Sequence, residues 1–329
     1  LLRAVAGCDR LVLLGDLLEL RHGPMREAIR AAAAPLRELG AAHGESAEVV
    51  IVPGNHDHHL SQGWAQRRAA AAPPPPLGHE SEIEILPGDP LHEIAELLAP
   101  ARVRGAYPGV WLRDDVYATH GHYLDLHLTV PTLERLGAGV MRRVVGLPAS
   151  GPRAAEDYEA ALAPIYAWVH AVAQLADPAR SGMLHGGSVR GWRALTGSRR
   201  RTLRARAIAL GWPAAVAGLN RAGLGPLHPQ LTGAALRSAG LRAIGEVSER
   251  LGARPRHLIF GHTHRAGPLP GDDVAEWITP GGVRLINSGC WVHEPTFTGP
   301  DPARSPYRVG FGVWVRDGGE PELVNLLDV

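Results

Sequence analysis

The sequence predicts an α/β fold, and three observations carry that prediction. Four short apolar runs, at residues 11–14, 49–52, 116–119 and 257–260, each lead straight into a polar loop rich in Asp, Asn and His. Between these runs lie segments whose apolar residues recur at helical spacing. Residues 128–252 differ in texture and are mostly helical, so they break the strand-bearing sequence as one block.

Taken in order, residues 1–8 read as the last turns of a helix before the strand at 11–14, which runs into Gly15-Asp16. Residues 22–40 form a helix. Met25, Ile29, Ala33, Leu36 and Leu39 share one face, Pro24 sits near the start, and Pro35 is expected to kink it. The strand at 49–52 ends in Pro53-Gly54-Asn55-His56-Asp57, a tight turn that presents an amide, an imidazole and a carboxylate together. Residues 60–72 read as a short helix that His58 and His59 open and Pro73-Pro74-Pro75-Pro76 stops. Strands follow at 83–86 and within 102–119.

Within 128–252, helices are expected at 132–145, 155–175 and 231–251. In the second, Tyr158, Leu162, Ile165, Val169 and Val172 make a continuous stripe. We read the block as a helical insertion over a site, with residues 1–127 and 253–329 forming the core. Further strands are expected at 256–260, 284–286, 307–315 and 322–327, the third alternating as half-buried strands do.

Composition excludes several classes. The 329 residues are 45% hydrophobic, enough for a substantial core, and no run approaches the ~18 apolar residues of a membrane span. The first residues do not read as a signal peptide. Two cysteines, Cys8 and Cys290, fit a reducing compartment, so a cytoplasmic location is expected. A net charge of +1 and 5% aromatics argue against nucleic acid as a partner.

The polar loops carry the chemistry. Gly15-Asp16-Leu17-Leu18-Glu19, Gly54-Asn55-His56-Asp57, His120-Gly121-His122 and Gly261-His262-Thr263-His264, in this order, resemble the motifs of the calcineurin-like metallophosphoesterase superfamily. The Gly-Asp-Leu-Leu-Glu exit, the loop from His120 to Asp125 and the helical insertion look most like the branch that includes UDP-2,3-diacylglucosamine pyrophosphohydrolases.

The resemblance implies a four-layer α/β/β/α sandwich. It implies hydrolysis of a phosphoester or pyrophosphate bond by metal-activated water at a site of two divalent ions, Mn, Fe or Zn. Asp16, Asn55, His120 and His262 would hold the second ion; Asp16, as the bridge, and His264 would hold the first, with two further ligands from an Asp-x-His. No Asp-x-His precedes Asp16, and the expectation is a chain that lacks the strand carrying it. His56 would act beside the scissile phosphate, with Asp57 orienting and charging its imidazole. Asn287-Ser288-Gly289-Cys290-Trp291 resembles the family's closing turn, with Cys290 a buried small residue.

Other residues carry less. Glu19 reads as a carboxylate behind the ligands or as a structural acid, and His122 as a contact to substrate or site edge. His127 and His185 are lone histidines that read as packed. Arg199, Arg200, Arg201, Arg204 and Arg206 form a dense basic cluster, either a solvated face or a surface for phosphate head groups, which would allow peripheral membrane contact. The expected substrate is a phosphorylated small molecule or a lipid-linked one. Two alternatives stay open: a nuclease or cyclic-nucleotide phosphodiesterase on the same fold, and a non-catalytic or one-metal binding protein if the Asp-x-His is genuinely absent.

Overall fold

The computed structural model describes residues 2–148, 150–175, 203–230, 232–293, 295–299 and 301–328. It is a mixed α/β structure built on a seven-stranded, mostly parallel sheet. After a helical turn, α1 (Leu2–Val5), strand β1 (Arg10–Leu14) lies parallel to β2 (Glu48–Val52), with Leu14 opposite Val52. Strand β2 lies parallel to the first part of β4 (Arg102–Arg113), with Ile51 opposite Gly105, and β3 (Glu80–Ile83) adds to β4 antiparallel. The second part of β4 pairs antiparallel with β5 (Val116–Thr119), Gly109 opposite Thr119. Strands β6 (His257–Phe260) and β7 (Arg284–Asn287) then extend β5 in parallel.

This register places the site. Strand β2 runs toward residue 105 of β4 and β5 runs back toward residue 109, so their C-terminal ends meet at the middle of β4. The loops after β1, β2, β5 and β6 are therefore brought to one junction from opposite directions.

Alternation along the strands divides the core in two. Val49 and Ile51 face a large cluster that also holds Leu36 and Leu39 of α2 (Met25–His43), Leu91 and Ile94 of α4 (Pro90–Leu97), and Ile244 and Val247 of α8 (Gly233–Leu251). Val50 and Val52 face a smaller cluster that includes Val110, Val116 and Ile259. Val313 and Leu323 pack on it from a separate hairpin, β8 (Phe311–Trp314) and β9 (Glu322–Asn325). Each such fully buried Val contributes about 1.5–3 kcal/mol. Both faces of the strands are apolar because both are covered.

Several elements depart from expectation. The strand expected at 83–86 is Glu80–Ile83, because Ile83 pairs with Gly105 and the Asp89 carboxylate accepts from Leu86 N at 3.0 Å to form a turn. Residues 305–310 do not join β8: Arg308 N donates to Ser305 O at 3.1 Å, and Gly310 has φ 99°. Helix α4 was not anticipated, although Asp89-Pro90 is a helix start and Leu91, Ile94 and Leu98 share its buried face. Helix α2 continues past Gly40 to His43, with Pro35 inside it.

Helix α3 (Gln62–Ala70) follows a short turn, His58–Ser61. Helices α5 (Leu133–Val144), α6 (Ala155–Gln174), α7 (Leu203–Arg221) and α8 make up the described part of the block at 128–252, and α9 (Pro295–Thr298) is a single turn. Arg204 and Arg206 fall on α7, while His185, Arg199, Arg200 and Arg201 lie outside the described residues. Among the described residues, no helix is long and apolar enough to cross a membrane.

Candidate functional site

Close approach of the loops is enforced at two glycines. Gly15 has φ 82°, and a Cβ there would fall 2.1 Å from His120 Nδ1. At Gly54 a Cβ would fall 2.3 Å from Asp16 Oδ1. Only glycine lets these loops touch. Asp16, His262 and His264 adopt φ of 54°, 62° and 62°, left-handed backbone that costs a non-glycine residue about 1–3 kcal/mol. Such strain is characteristic of residues whose direction matters.

The histidine rings can be assigned from their partners. His120 Nδ1 lies 3.0 Å from the Leu14 carbonyl oxygen, so it carries the proton and donates there. Its Nε2 then faces Asn55 Oδ1 at 3.2 Å and Asp16 Oδ2 at 3.3 Å. His262 is held the other way round. Its Nε2 donates to Asp125 Oδ1 at 3.0 Å, leaving the Nδ1 lone pair 3.1 Å from Asn55 Oδ1.

Two ring nitrogens, an amide oxygen and a carboxylate oxygen therefore face one another, acceptors that a cation among them would satisfy. Four ligands about 2.1 Å from a tetrahedral ion stand about 3.4 Å apart, close to these separations. Without a metal, a proton takes that place. Burial pushes His120 down, but the Asp16 carboxylate more than reverses this and holds the ring above its ordinary value. Burial pushes Asp16 up, yet the charges of His120 and His56 hold it well below the usual range. Among the described residues, no three His, Cys, Asp or Glu side chains form a metal-holding group by themselves. The central member here is the Asn55 amide.

Asp57 does not play the part expected of it. Its carboxylate accepts from Gly54 N at 2.7 Å and Asp16 N at 3.2 Å through Oδ1, and from Leu17 N at 2.7 Å and Leu18 N at 3.4 Å through Oδ2. It ties the β1 and β2 loops together instead of orienting His56. Burial and the Asp16 charge push it up to about 6. The carboxylate on His56 is Glu19, whose Oε2 lies 2.5 Å from Nδ1. Glu19 Oε1 accepts from Arg21 N at 2.8 Å, and the Arg21 guanidinium donates to His56 Nε2. Burial pushes Glu19 up, but hydrogen bonds from His22 and His56 bring it below its ordinary value.

His264 lies within the influence of Asp16, His262, His56 and His120; burial and these imidazoles push it down to about 4 against the pull of Asp16. His122 is buried beside His120, with ring centroids 5.6 Å apart, its Nε2 donating to Tyr107 Oη at 3.0 Å. Tyr107 and Tyr123 both donate to Glu159 Oε1, at 2.6 and 2.7 Å, and His58 Nε2 lies 3.0 Å from Glu159 Oε2. His59 stacks on His170 with ring centroids 3.7 Å apart. His127 is satisfied by Tyr158 Oη at 2.7 Å, as a packed histidine should be.

Glu159, Tyr158, Tyr166 and His170 all belong to α6, so that helix packs on the site loops. Its buried face runs through Tyr158, Leu162, Tyr166 and His170, whereas Val172 of the expected stripe is 41% exposed. The helix is turned because the face it buries packs on the site loops as well as on the apolar core, which takes Tyr158, Ala161 and Leu162. From the other side, Asn287 Nδ2 donates to Gly261 O at 3.1 Å and to Thr263 Oγ1 at 2.8 Å, bracing the loop that carries His262 and His264. Cys290 is half-buried, less than expected, and burial pushes its thiol up.

One consequence is acid lability. His59, His127 and His264 are each pushed down to about 4, with burial the leading cause, whereas an unfolded imidazole titrates near 6.5. Below 6.5 the unfolded chain takes the protons first, so stability is lost as pH falls from 6.5 toward 4. Asp57, pushed up to about 6, and His120, held above its ordinary value by Asp16, oppose this in part. Thermal melts of metal-stripped protein between pH 7 and 4.5 should show a falling midpoint, and a flat profile would contradict the burial of these rings.

Neither the protein-family models nor the curated proteins include a match to this chain.

Proposed function

We propose that this chain is a metallophosphoesterase of the calcineurin-like type, hydrolysing a phosphoester or pyrophosphate bond. The observation that carries the reading is the convergence of Asp16, Asn55, His120 and His262 with both outer ring nitrogens already bonded, to Leu14 O and Asp125. Tying the far nitrogen of a ligating histidine is how metal sites fix tautomer and direction. In this reading those four residues hold one divalent ion of Mn, Fe or Zn, and Asp16 with His264 faces a second. Such ions supply Lewis-acid charge and acidify water. His56, steadied by Glu19, stands beside the leaving oxygen, and Asp57 keeps the turn in shape.

The two core clusters, with helices on one face of the sheet and a hairpin on the other, supply three of the four layers that family's sandwich would have. The insertion at 128–252 shapes a pocket for a phosphorylated small molecule or a lipid-linked one. We place the protein in the cytoplasm, the arginine cluster at 199–206 being either a solvated face or a surface for peripheral membrane contact. Its two cysteines are both free, as that compartment requires.

A second reading, a one-metal binding protein, is favoured by the donor set of the ion beside His264, to which Asp16 and His264 alone are assigned among the described residues. Calorimetric titration of Mn²⁺ into metal-stripped protein, with turnover of bis-p-nitrophenyl phosphate measured alongside, decides between them. Mn²⁺-dependent hydrolysis is expected, with ion binding weakened at least tenfold by Asn55→Ala. One ion bound without turnover would favour the second reading, and no binding of Mn²⁺, Fe²⁺ or Zn²⁺ would sink both.

A further inference from the structure

Buried polar atoms without partners are rare in folded proteins and call for a cause. Among the described residues there are seven such side-chain atoms, and four of them are Arg21 Nε, His122 Nδ1, Asp125 Oδ2 and Tyr166 Oη. All four belong to residues at the junction already described. Arg21 bears on His56, Asp125 on His262, and the His122 ring lies 5.7 Å from that of Tyr166.

Tyr166 differs from the other three in origin. Arg21, His122 and Asp125 come from the loops after β1 and β5, whereas Tyr166 is brought in by α6 from the insertion. Its residue surface is 7% exposed, and its ring sits against His58 at 5.2 Å between centroids. Burial first, then the charges of Asp125 and Glu159, push the phenol well above its ordinary value, and the charges of Arg21 and Asp16 also reach it. It is a neutral hydroxyl that stays protonated, and its hydrogen has no acceptor.

We infer that Tyr166 is the residue through which the helical insertion contacts substrate, its hydroxyl donating to a phosphoryl oxygen held at the site. This rests on the phosphoesterase reading above and names a recognition group for it. A helix lying on the loops can be no more than a cover. A helix that brings an unpartnered donor to the carboxylates and imidazoles of the site adds a hydrogen bond that forms only when an acceptor arrives. Such a bond to a charged oxygen is worth about tenfold or more in binding.

Tyr166→Phe tests this cleanly, because it removes a hydroxyl that bonds to nothing in the fold. Deleting an unpartnered buried group is neutral or stabilising, so the melting temperature should hold or rise. Binding of inorganic phosphate to the Mn²⁺-loaded protein, followed by calorimetry, should weaken about tenfold, and the KM for bis-p-nitrophenyl phosphate should rise with it. Phosphate binding equal to that of wild type would overturn the assignment, even if the wild type hydrolyses the diester. Conversely, Tyr166-dependent phosphate binding without hydrolysis would uphold the contact while the hydrolytic reading falls. A wild type that binds no phosphate would remove both.

Discussion

His56→Ala is expected to lower Mn²⁺-dependent phosphodiester turnover by a factor of ~10² or more, with little change in melting temperature. The expectation separates position from packing. His56 is partly exposed at the junction, and its Nε2 stands 3.8 Å from Asp16 Oδ2, so the ring borders the place where Asp16, Asn55, His120 and His262 converge. Its direction is set by Glu19 on one nitrogen and Arg21 on the other. Removing the ring leaves Glu19 the Arg21 amide and His22, at 2.8 and 3.2 Å, while the Arg21 guanidinium loses its bond to Nε2 and keeps Glu19 Oε1 at 3.9 Å as an ion pair. The loss is one hydrogen bond from a guanidinium that still reaches solvent, so the stability cost should be about 1 kcal/mol. The measurement is kcat for bis-p-nitrophenyl phosphate beside a thermal melt. Equal rates for variant and wild type would remove His56 from the chemistry.

How much of this was legible depended on distance along the chain. The strands leading to the four loops could be read because each is buried and therefore apolar, and each stops where the polar loop begins. Asp16, Asn55, His120 and His262 could be picked out because their residue types and order matched a known pattern, and the fold brings them together. What orients them was read only in part. Asp125 acts on His262, 137 positions away, and nothing in a sequence marks that pair; Glu19 was read as a carboxylate behind the ligands or a structural acid, but not as the partner of His56, 37 positions away. Asp57 was misjudged for the opposite reason. It is next to His56 in sequence, but in a turn of this shape adjacent side chains diverge, and its carboxylate drops to the backbone beneath. Helix α6 shows the limit of periodicity. Of the expected stripe, Tyr158 and Leu162 are buried and Ile165 packs on the core, but toward the C-terminus the buried face passes to Tyr166 and His170 on the site side and Val172 is left exposed. Only α4 was missed with the signal in plain view, an Asp-Pro start followed by Leu91, Ile94 and Leu98.

The reassignment of Asp57 yields the largest expected change in stability. Asp57→Ala should cost about 3–5 kcal/mol, a large part of the 5–15 kcal/mol that holds an ordinary domain together. The carboxylate is fully buried and accepts from four backbone N–H groups, those of Gly54, Asp16, Leu17 and Leu18. Alanine leaves those donors facing one another, and each buried donor without an acceptor costs about 1–3 kcal/mol, less in sum where the loop can relax toward water. The charge opposes part of this gain. Folding raises the Asp57 pKa from 3.8 to about 6, through burial and the nearby Asp16. For a raised carboxyl, the fold binds its proton more tightly than the unfolded chain does. The ionised group is thus a burden above pH 6 that is relieved as pH falls toward 3.8. Alanine carries no such burden. The gap between wild type and variant should therefore widen from pH 7.5 to pH 5 in metal-stripped protein, as read from urea unfolding at each pH. A variant that unfolds at the wild-type midpoint yet loses turnover a hundredfold would return Asp57 to the role of partner to His56.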